Sequence, residues 1–308
     1  MKQHSYIVLL LFAFAGIAGC KKSKYEKYGE YGTIDSGGKK RKFIVHVPSG
    51  YREDSSYSLV IALHGRFGDP TDMAVGTGFS DAADFKKFIV CYPEGYKKSW
   101  ADSRNVTPAS EAGIDDVTFI SDLIDKLIAD YSVDTTRIYV AGISNGGFLA
   151  QDIACALSGK ITAFASVVAS MPEPLKLTCN PVRPVPAMFI LSTTDELIPY
   201  AGGDIVNYDA GRVLSADSTI AFWVNNNNCM GFIDSTDLLD AKNDGTTVTE
   251  FIWANCDLGA GINFYRVNNG GHNWPGGKPV WSFVSGNQCE DIDATLLIWD
   301  FFKDYVKP

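Results

Sequence analysis

The sequence predicts an α/β chain built on a mostly parallel central sheet with helices on both faces. Two observations point there: apolar or alternating runs of strand length recur along the chain, and amphipathic helical patterns lie between several of them. Near-continuous apolar strands alternating with helices are what a parallel sheet buried on both faces requires. The runs are KFIVHVP (42–48), SLVIALHG (58–65), KFIVCYPEG (87–95), RIYVAGIS (137–144), AFASVVAS (163–170), PAMFILSTTD (186–195) and INFYRVNNGG (262–271). The clearest helix is predicted over 115–130, where Val117, Ile120, Leu123, Ile124, Leu127 and Ile128 recur at spacings of three and four and draw one apolar stripe. Residues 293–306, DATLLIWDFFKDYV, form a last amphipathic helix whose large apolar side chains belong to the core.

Three segments follow from composition. Residues 1–19 carry a lysine and an apolar run over 7–18 that is too short to span a bilayer but suits a signal-peptide core. The run ends in IAGC, so Cys20 is the expected lipidation site after cleavage. Residues 20–40 are polar and lysine-rich and read as a tether, leaving 41–308 as one domain. The chain is thus expected in a bacterial cell envelope, in the outer membrane facing the periplasm or the surface, or secreted. It would contact membrane only through the N-terminal lipid and act as a monomer.

A formal net charge of −9 argues against nucleic acid as a partner, since binding it needs a basic surface to displace counterions. Of seven cysteines, Cys91 sits inside an apolar run and is expected to be a buried small hydrophobe, while Cys155, Cys179 and Cys289 are left unassigned. No C-x-x-C pair occurs and histidines are few, so neither a metal nor an organic cofactor is expected.

The stretch YVAGISNGGF (139–148) places Ser144 between glycines at the end of a predicted strand and before the helical FLAQDIACALSG. A serine on a sharp strand-to-helix turn needs small residues two positions before and two after, and Gly142 and Gly146 supply them. Its hydroxyl becomes a nucleophile only when a base takes its proton. His46 lies within a strand pattern and His64 precedes the serine. His272, on the glycine-rich loop NNGGHNWPGG, follows it, as the chain order Ser, Asp or Glu, His demands. Asp195, at the end of PAMFILSTTD, is the expected orienting acid in preference to the adjacent Glu196 and to the loop residues Asp234, Asp237, Asp240 and Asp244. Backbone amides of Asn145 and of Arg66, in HGRFGDP, are expected to form the oxyanion hole. Trp100 and Trp274, on loops near the same sheet edge, and His64 are candidate substrate-binding side chains, and Arg66 could meet a polar substituent or a uronic acid.

The ordered series LHG, YPEG…SWADSR, DDVTFISDLIDKL, RIYVAGISNGG, PVPAMFILSTTDELIPYAGG, GGHNWPGG and IDATLLIWDFF resembles the polyhydroxybutyrate depolymerase and feruloyl esterase group of α/β-hydrolases, over most of residues 41–306. The resemblance implies an α/β-hydrolase fold, a Ser144–Asp195–His272 triad, Trp274 as a wall of the substrate site and a disulfide between Cys229 and Cys256. It also implies activity as a serine carboxylic-ester hydrolase without metal or cofactor. Arg66 in HGRFGDP and the LSTTD run before the acid depart from the usual pattern and bear on the acyl pocket. Feruloyl and then acetyl esters of plant polysaccharide are the expected substrates, ahead of hydroxybutyrate polyester, because no segment outside 41–308 is large enough to be an adsorption module. A catalytically silent glycan-binding lipoprotein and a peptidase are the competing readings.

Overall fold

A computed structural model describes residues 28–205, 211–231, 234–281 and 285–308. Its elements are β1 (Glu30–Ser36), β2 (Lys39–His46), β3 (Tyr57–Leu63), α1 (Pro70–Thr77), α2 (Phe79–Lys86), β4 (Ile89–Pro93), α3 (Pro108–Glu111), α4 (Asp116–Asp130), β5 (Val133–Ile143) and α5 (Asn145–Ala156). They continue with β6 (Ala163–Val167), α6 (Glu173–Thr178), β7 (Ala187–Ser192), β8 (Gly203–Asp204), β9 (Arg212–Val213), α7 (Ala216–Asn226), β10 (Asp234–Asp237), β11 (Thr247–Trp253), β12 (Ile262–Asn268) and α8 (Ala294–Phe302). Among the described residues, ten strands form one sheet in the order β1-β2-β4-β3-β5-β6-β7-β12-β11-β10. The strands from β4 to β12 in that order pair in parallel, and antiparallel hairpins extend the sheet at both edges.

The parallel strands are continuous apolar runs because both faces of each are covered. In β3, Val60 and Ala62 face one core with Met73 of α1, Phe79 of α2 and Trp299 and Phe302 of α8. Leu59, Ile61 and Leu63 face the other, with Phe119 and Leu123 of α4, Ile153 of α5 and Trp223 of α7. Each such fully buried side chain contributes roughly 1.5–3 kcal/mol of transfer free energy. The α4 stripe lies as predicted: Ile120, Leu123, Ile124 and Leu127 are buried and Val117 and Ile128 flank them at the margin. Asp115 caps the helix, its carboxylate accepting the Thr118 amide at 2.9 Å.

The expected tether is corrected in part. Residues 30–40 form β1 and the start of β2, so the folded unit begins well before residue 41. Their polar composition is that of an edge strand with one face in water: only Ser36 is buried, Gly32 and Ile34 are half-buried, and Ser36 Oγ donates to Asp122 Oδ2 of α4 at 2.6 Å. The signal segment 1–19 and Cys20 lie outside the described residues. No described helix is long and apolar enough to cross a membrane.

Cys229 and Cys256 form the expected disulfide, tying the end of α7 to the turn after β11, and Cys155 pairs with Cys179, tying α5 to α6. Cys91 and Cys289 are buried thiols. Replacing Cys229 and Cys256 together with serine opens a loop of 27 residues by sequence separation. In the chain-entropy description this is expected to cost about 3 kcal/mol and lower the melting temperature by several degrees. Calorimetry without reductant checks it, and a midpoint matching the parent would reject it.

Candidate active site

Ser144 is the single residue between β5 and α5 and has φ 55° and ψ −122°. A non-glycine residue in this region carries strain of order 1–3 kcal/mol and persists only where its surroundings over-determine it. Here the Ser144 amide donates to Val167 O at 2.9 Å, and Ser144 O accepts from the Phe148 amide at 3.0 Å, so β6 and α5 fix the residue from both sides. The turn leaves no room for side chains nearby. A Cβ on Gly142 would lie 2.1 Å from Gly146 O, and one on Gly146 would lie 2.4 Å from Leu63 O.

Asp195 follows β7 and His272 follows β12, its parallel neighbour, so both side chains arrive at the carboxyl edge of the sheet from which Ser144 leaves β5. His272 Nδ1 donates to Asp195 Oδ2 at 2.7 Å, and both side chains are buried. The other carboxylate oxygen accepts the amides of Leu197 and Ile198 at 2.8 and 2.9 Å. A carboxylate held this way fixes the Nδ1–H tautomer and directs the ring's basic lone pair to Nε2. The two loops are also stitched together. Thr194 Oγ1 donates to Gly270 O at 2.9 Å, and the Asn269 amide donates to Thr193 Oγ1 at 2.9 Å, which gives the unusual LSTTD threonines a structural task. Glu196 is exposed and takes no part.

Asn145 opens α5, so its amide is among the first-turn N–H groups that have no partner within the helix. Its side chain is clamped: Oδ1 accepts the Trp100 amide at 2.8 Å, and Nδ2 donates to Trp100 O at 3.1 Å and Asp102 Oδ2 at 2.7 Å. Asp102 in turn holds the Arg104 guanidinium at 2.7 Å in a buried pair, and that guanidinium lies over the Phe148 ring of α5 at 4.2 Å. Arg66 lies in the loop after β3, beside the elbow, with its guanidinium 4.1 Å from the Phe67 ring and Nη1 donating to Lys97 O and Lys98 O, each at 3.3 Å.

Three expected substrate contacts are corrected. His64 is fully buried; its Nδ1 donates to Gly65 O at 2.8 Å and its Nε2 accepts the Gly95 amide at 3.0 Å. Burial holds this imidazole down at about 4, so it is neutral and its ring has no polar atom left for a ligand. Trp100 is fully buried with Nε1 donating to the His64 carbonyl at 2.7 Å, and Trp274 is buried against Phe79 with Nε1 donating to Thr295 Oγ1 at 3.0 Å. All three pack the loops that carry the site and offer no surface to a ligand here. The residues that the sequence reading passed over are Asp102, Arg104 and Asp152. SWADSR was visible as a motif, but nothing in its spacing reveals a partner some forty residues away.

Asp152 of α5 accepts the Ser103 amide at 2.9 Å, and burial, followed by the charge of Asp102, pushes its carboxyl up to about 7. A carboxyl whose folded value is raised contributes stability below its unfolded value near 4, and that contribution is lost as pH rises toward 7. His64, lowered from 6.5, acts oppositely, its contribution being lost as pH falls from 6.5 toward 4. Asp152→Asn is therefore expected to be more stable than the parent at pH 8, on the order of 2 kcal/mol, with the gap closing toward pH 4 in urea titrations. Equal midpoints at pH 8 would overturn the assignment. Asp102→Ala, which leaves the Arg104 charge buried without its carboxylate, should lose about 3–5 kcal/mol, and Asp102→Ala with Arg104→Met should recover much of it. The same unfolding measurement decides, and an undiminished loss in the double variant would rule out the paired-charge account.

Comparison with known proteins bears on the fold and on the family the chain resembles. Residues 42–171 match the family model described as Esterase PHB depolymerase. The chain is 28% identical over 248 residues to feruloyl esterase B of Piromyces equi, covering 79% of this chain and 45% of that protein. It is 27% identical over 250 residues to the bifunctional acetylxylan esterase/xylanase XynS20E of Neocallimastix patriciarum, covering 80% and 33%. The chain thus spans less than half the length of either relative. Among solved structures, the acetyl xylan esterase from Aspergillus awamori superposes with a TM-score of 0.57 at 12% identity, covering 80% of this chain and 94% of that one. The fold is of the α/β-hydrolase type, and residues 42–171 are similar to the Esterase PHB depolymerase family model.

Proposed function

We propose that the chain is a serine carboxylic-ester hydrolase that removes feruloyl or acetyl groups from plant polysaccharide. Ser144 Oγ attacks the ester carbonyl while His272 Nε2 takes its proton, and the amides of Asn145 and Arg66 receive the developing oxyanion. The imidazolium, stabilised by Asp195, then protonates the leaving alcohol. Water deprotonated by His272 hydrolyses the acyl-serine, releasing the acid and restoring the serine hydroxyl. No metal or organic cofactor enters these steps.

The observation that carries the reading is the strained backbone at Ser144, on the same sheet edge as a buried Asp195–His272 pair. A strained serine between two glycines that admit no Cβ is costly for a protein that only binds, and it presents a hydroxyl at the head of a helix. The names of the two curated relatives favour feruloyl and acetyl esters. The matching family description favours a second reading, hydrolysis of hydroxybutyrate oligomers. We assign the mature chain to the cell envelope or its exterior, anchored through Cys20; the two disulfides support an oxidising compartment.

Ser144→Ala is expected to reduce kcat for p-nitrophenyl acetate and methyl ferulate by roughly three to six orders of magnitude, with the fold intact by circular dichroism. Equal rates in parent and variant would sink the assignment. Faster turnover of hydroxybutyrate oligomers than of methyl ferulate or acetylated xylan, at matched concentration, would put the second reading first.

A further inference from the structure

We propose that the cleft between the β1–β2 hairpin and the segment 94–98 after β4 is a subsite for an anionic sugar, a uronate residue of the polysaccharide bearing the ester. The proposal rests on the polysaccharide reading above. The cleft, about 380 Å³, is lined by Lys39, Lys40 and Lys42 on one side and by Glu94, Tyr96 and Lys97 on the other. In a chain of net charge −9 this is a local concentration of positive charge. The Nζ atoms of Lys39 and Lys97 each lie 5.6 Å from the centroid of the half-buried Tyr96 ring, so two ammonium groups from different elements converge on one aromatic ring.

Neighbouring cations are already matched: Lys42 pairs with Glu94 at 3.7 Å, Lys98 with Asp69 at 3.6 Å and Arg41 with Asp116 at 2.6 Å. Among the described residues, no carboxylate pairs with Lys39, Lys40 or Lys97. Lys97 and Lys98 also have φ of 48° and 57°, two successive residues in the left-handed region, which points to a turn retained at a cost in strain. That turn is fixed to the candidate active site. Gly95 donates its amide to His64 Nε2, the Phe67 amide donates to Lys98 O at 2.9 Å, and Arg66 Nη1 reaches both Lys97 O and Lys98 O. A sugar held here is therefore registered against the loop that presents the Arg66 amide to the scissile ester.

The chemistry selects the occupant. A phenol ring takes the apolar face of a pyranose, and two ammonium groups beside it suit a carboxylate on that same ring. A neutral sugar uses only the phenol. An anionic membrane would meet a convex spread of lysines better than a cleft with an aromatic ring inside it.

The test compares binding, by titration calorimetry, of de-esterified xylo-oligosaccharides with and without a glucuronate branch to the parent and to Lys39→Ala with Lys97→Ala. The expected result is that the acidic oligosaccharide binds roughly three- to tenfold more tightly than the neutral one. The preference should shrink as NaCl rises from about 0.05 to 0.5 M and vanish in the double variant, with p-nitrophenyl acetate hydrolysis unchanged. Equal affinity for both oligosaccharides, a preference that survives in the variant, or a variant that loses only binding to phosphatidylglycerol vesicles would each overturn the subsite. Failure of the parent to hydrolyse p-nitrophenyl acetate would remove the esterase reading instead, and that outcome is separate from charge preference in binding.

Discussion

The close approach of β5, α5 and the end of β3 is the constraint on which the rest of the site depends. Ser144 can occupy its left-handed conformation only because Gly142 and Gly146 let strand and helix backbones come within a distance that excludes a Cβ. The same contact pushes the start of α5 against the carbonyls of Leu63 and His64. From this one packing event come three consequences: the hydroxyl stands at the head of a helix, the Asn145 amide lies in that helix's first turn, and the loop carrying Arg66 is brought to the elbow. A larger side chain at either glycine would change all three at once.

Around that contact lies a buried polar scaffold that does no chemistry in the proposed mechanism but fixes the groups that do. His64 bridges Gly65 and Gly95, Trp100 bridges the His64 carbonyl and Asn145, and Asp102 joins Asn145 to Arg104. Asp116 extends the network to Arg41 of β2 and to the Ala101 amide. Buried polar groups are tolerated when they are fully partnered, and a partnered network allows few alternative arrangements. The loops after β3 and β4 are therefore held in place by side chains, although neither has regular secondary structure across residues 64–68 and 94–98.

The same distinction explains what the sequence made legible. The two-sided burial of the central strands shows as unbroken apolar runs, and the α4 stripe shows as a helical period, because both record local environment. The elbow shows because strain needs glycines at fixed offsets. Asp195 and His272 were accessible through chain order and their places at strand ends. The edge strand β1 escapes a reading of composition because a strand with one face in water, and only Gly32, Ile34 and Ser36 turned inward, resembles a polar tether. Trp100, Trp274 and His64 were placed near the right sheet edge, yet a side chain's direction from a loop is set by partners that are distant in sequence. Thr295 for Trp274 and Gly95 for His64 leave no periodic trace.

Charge distribution separates the fixed part of the molecule from the part that selects a ligand. The candidate triad and its scaffold are buried, and their carboxylates are partnered: Asp195 by hydrogen bonds from His272 and two backbone amides, Asp102 by the Arg104 guanidinium and Asp116 by that of Arg41. The Asp102–Arg104 and Asp116–Arg41 pairs are neutral overall and project little field toward an approaching polymer, whereas unmatched surface charge acts over about a Debye length. On the proposed esterase reading, discrimination among esters of the same chemistry arises at the rim, where Lys97 stands at the hydrogen-bonded junction between Arg66 and the 97–98 turn. That junction is held by the Phe67 amide on Lys98 O and by the Arg66 side chain, while Lys97 is exposed. The Lys97 side chain can therefore be exchanged for another without removing a contact that holds the strained turn at Ser144, and on the proposed reading the reaction and its substrate range are physically separable within one fold.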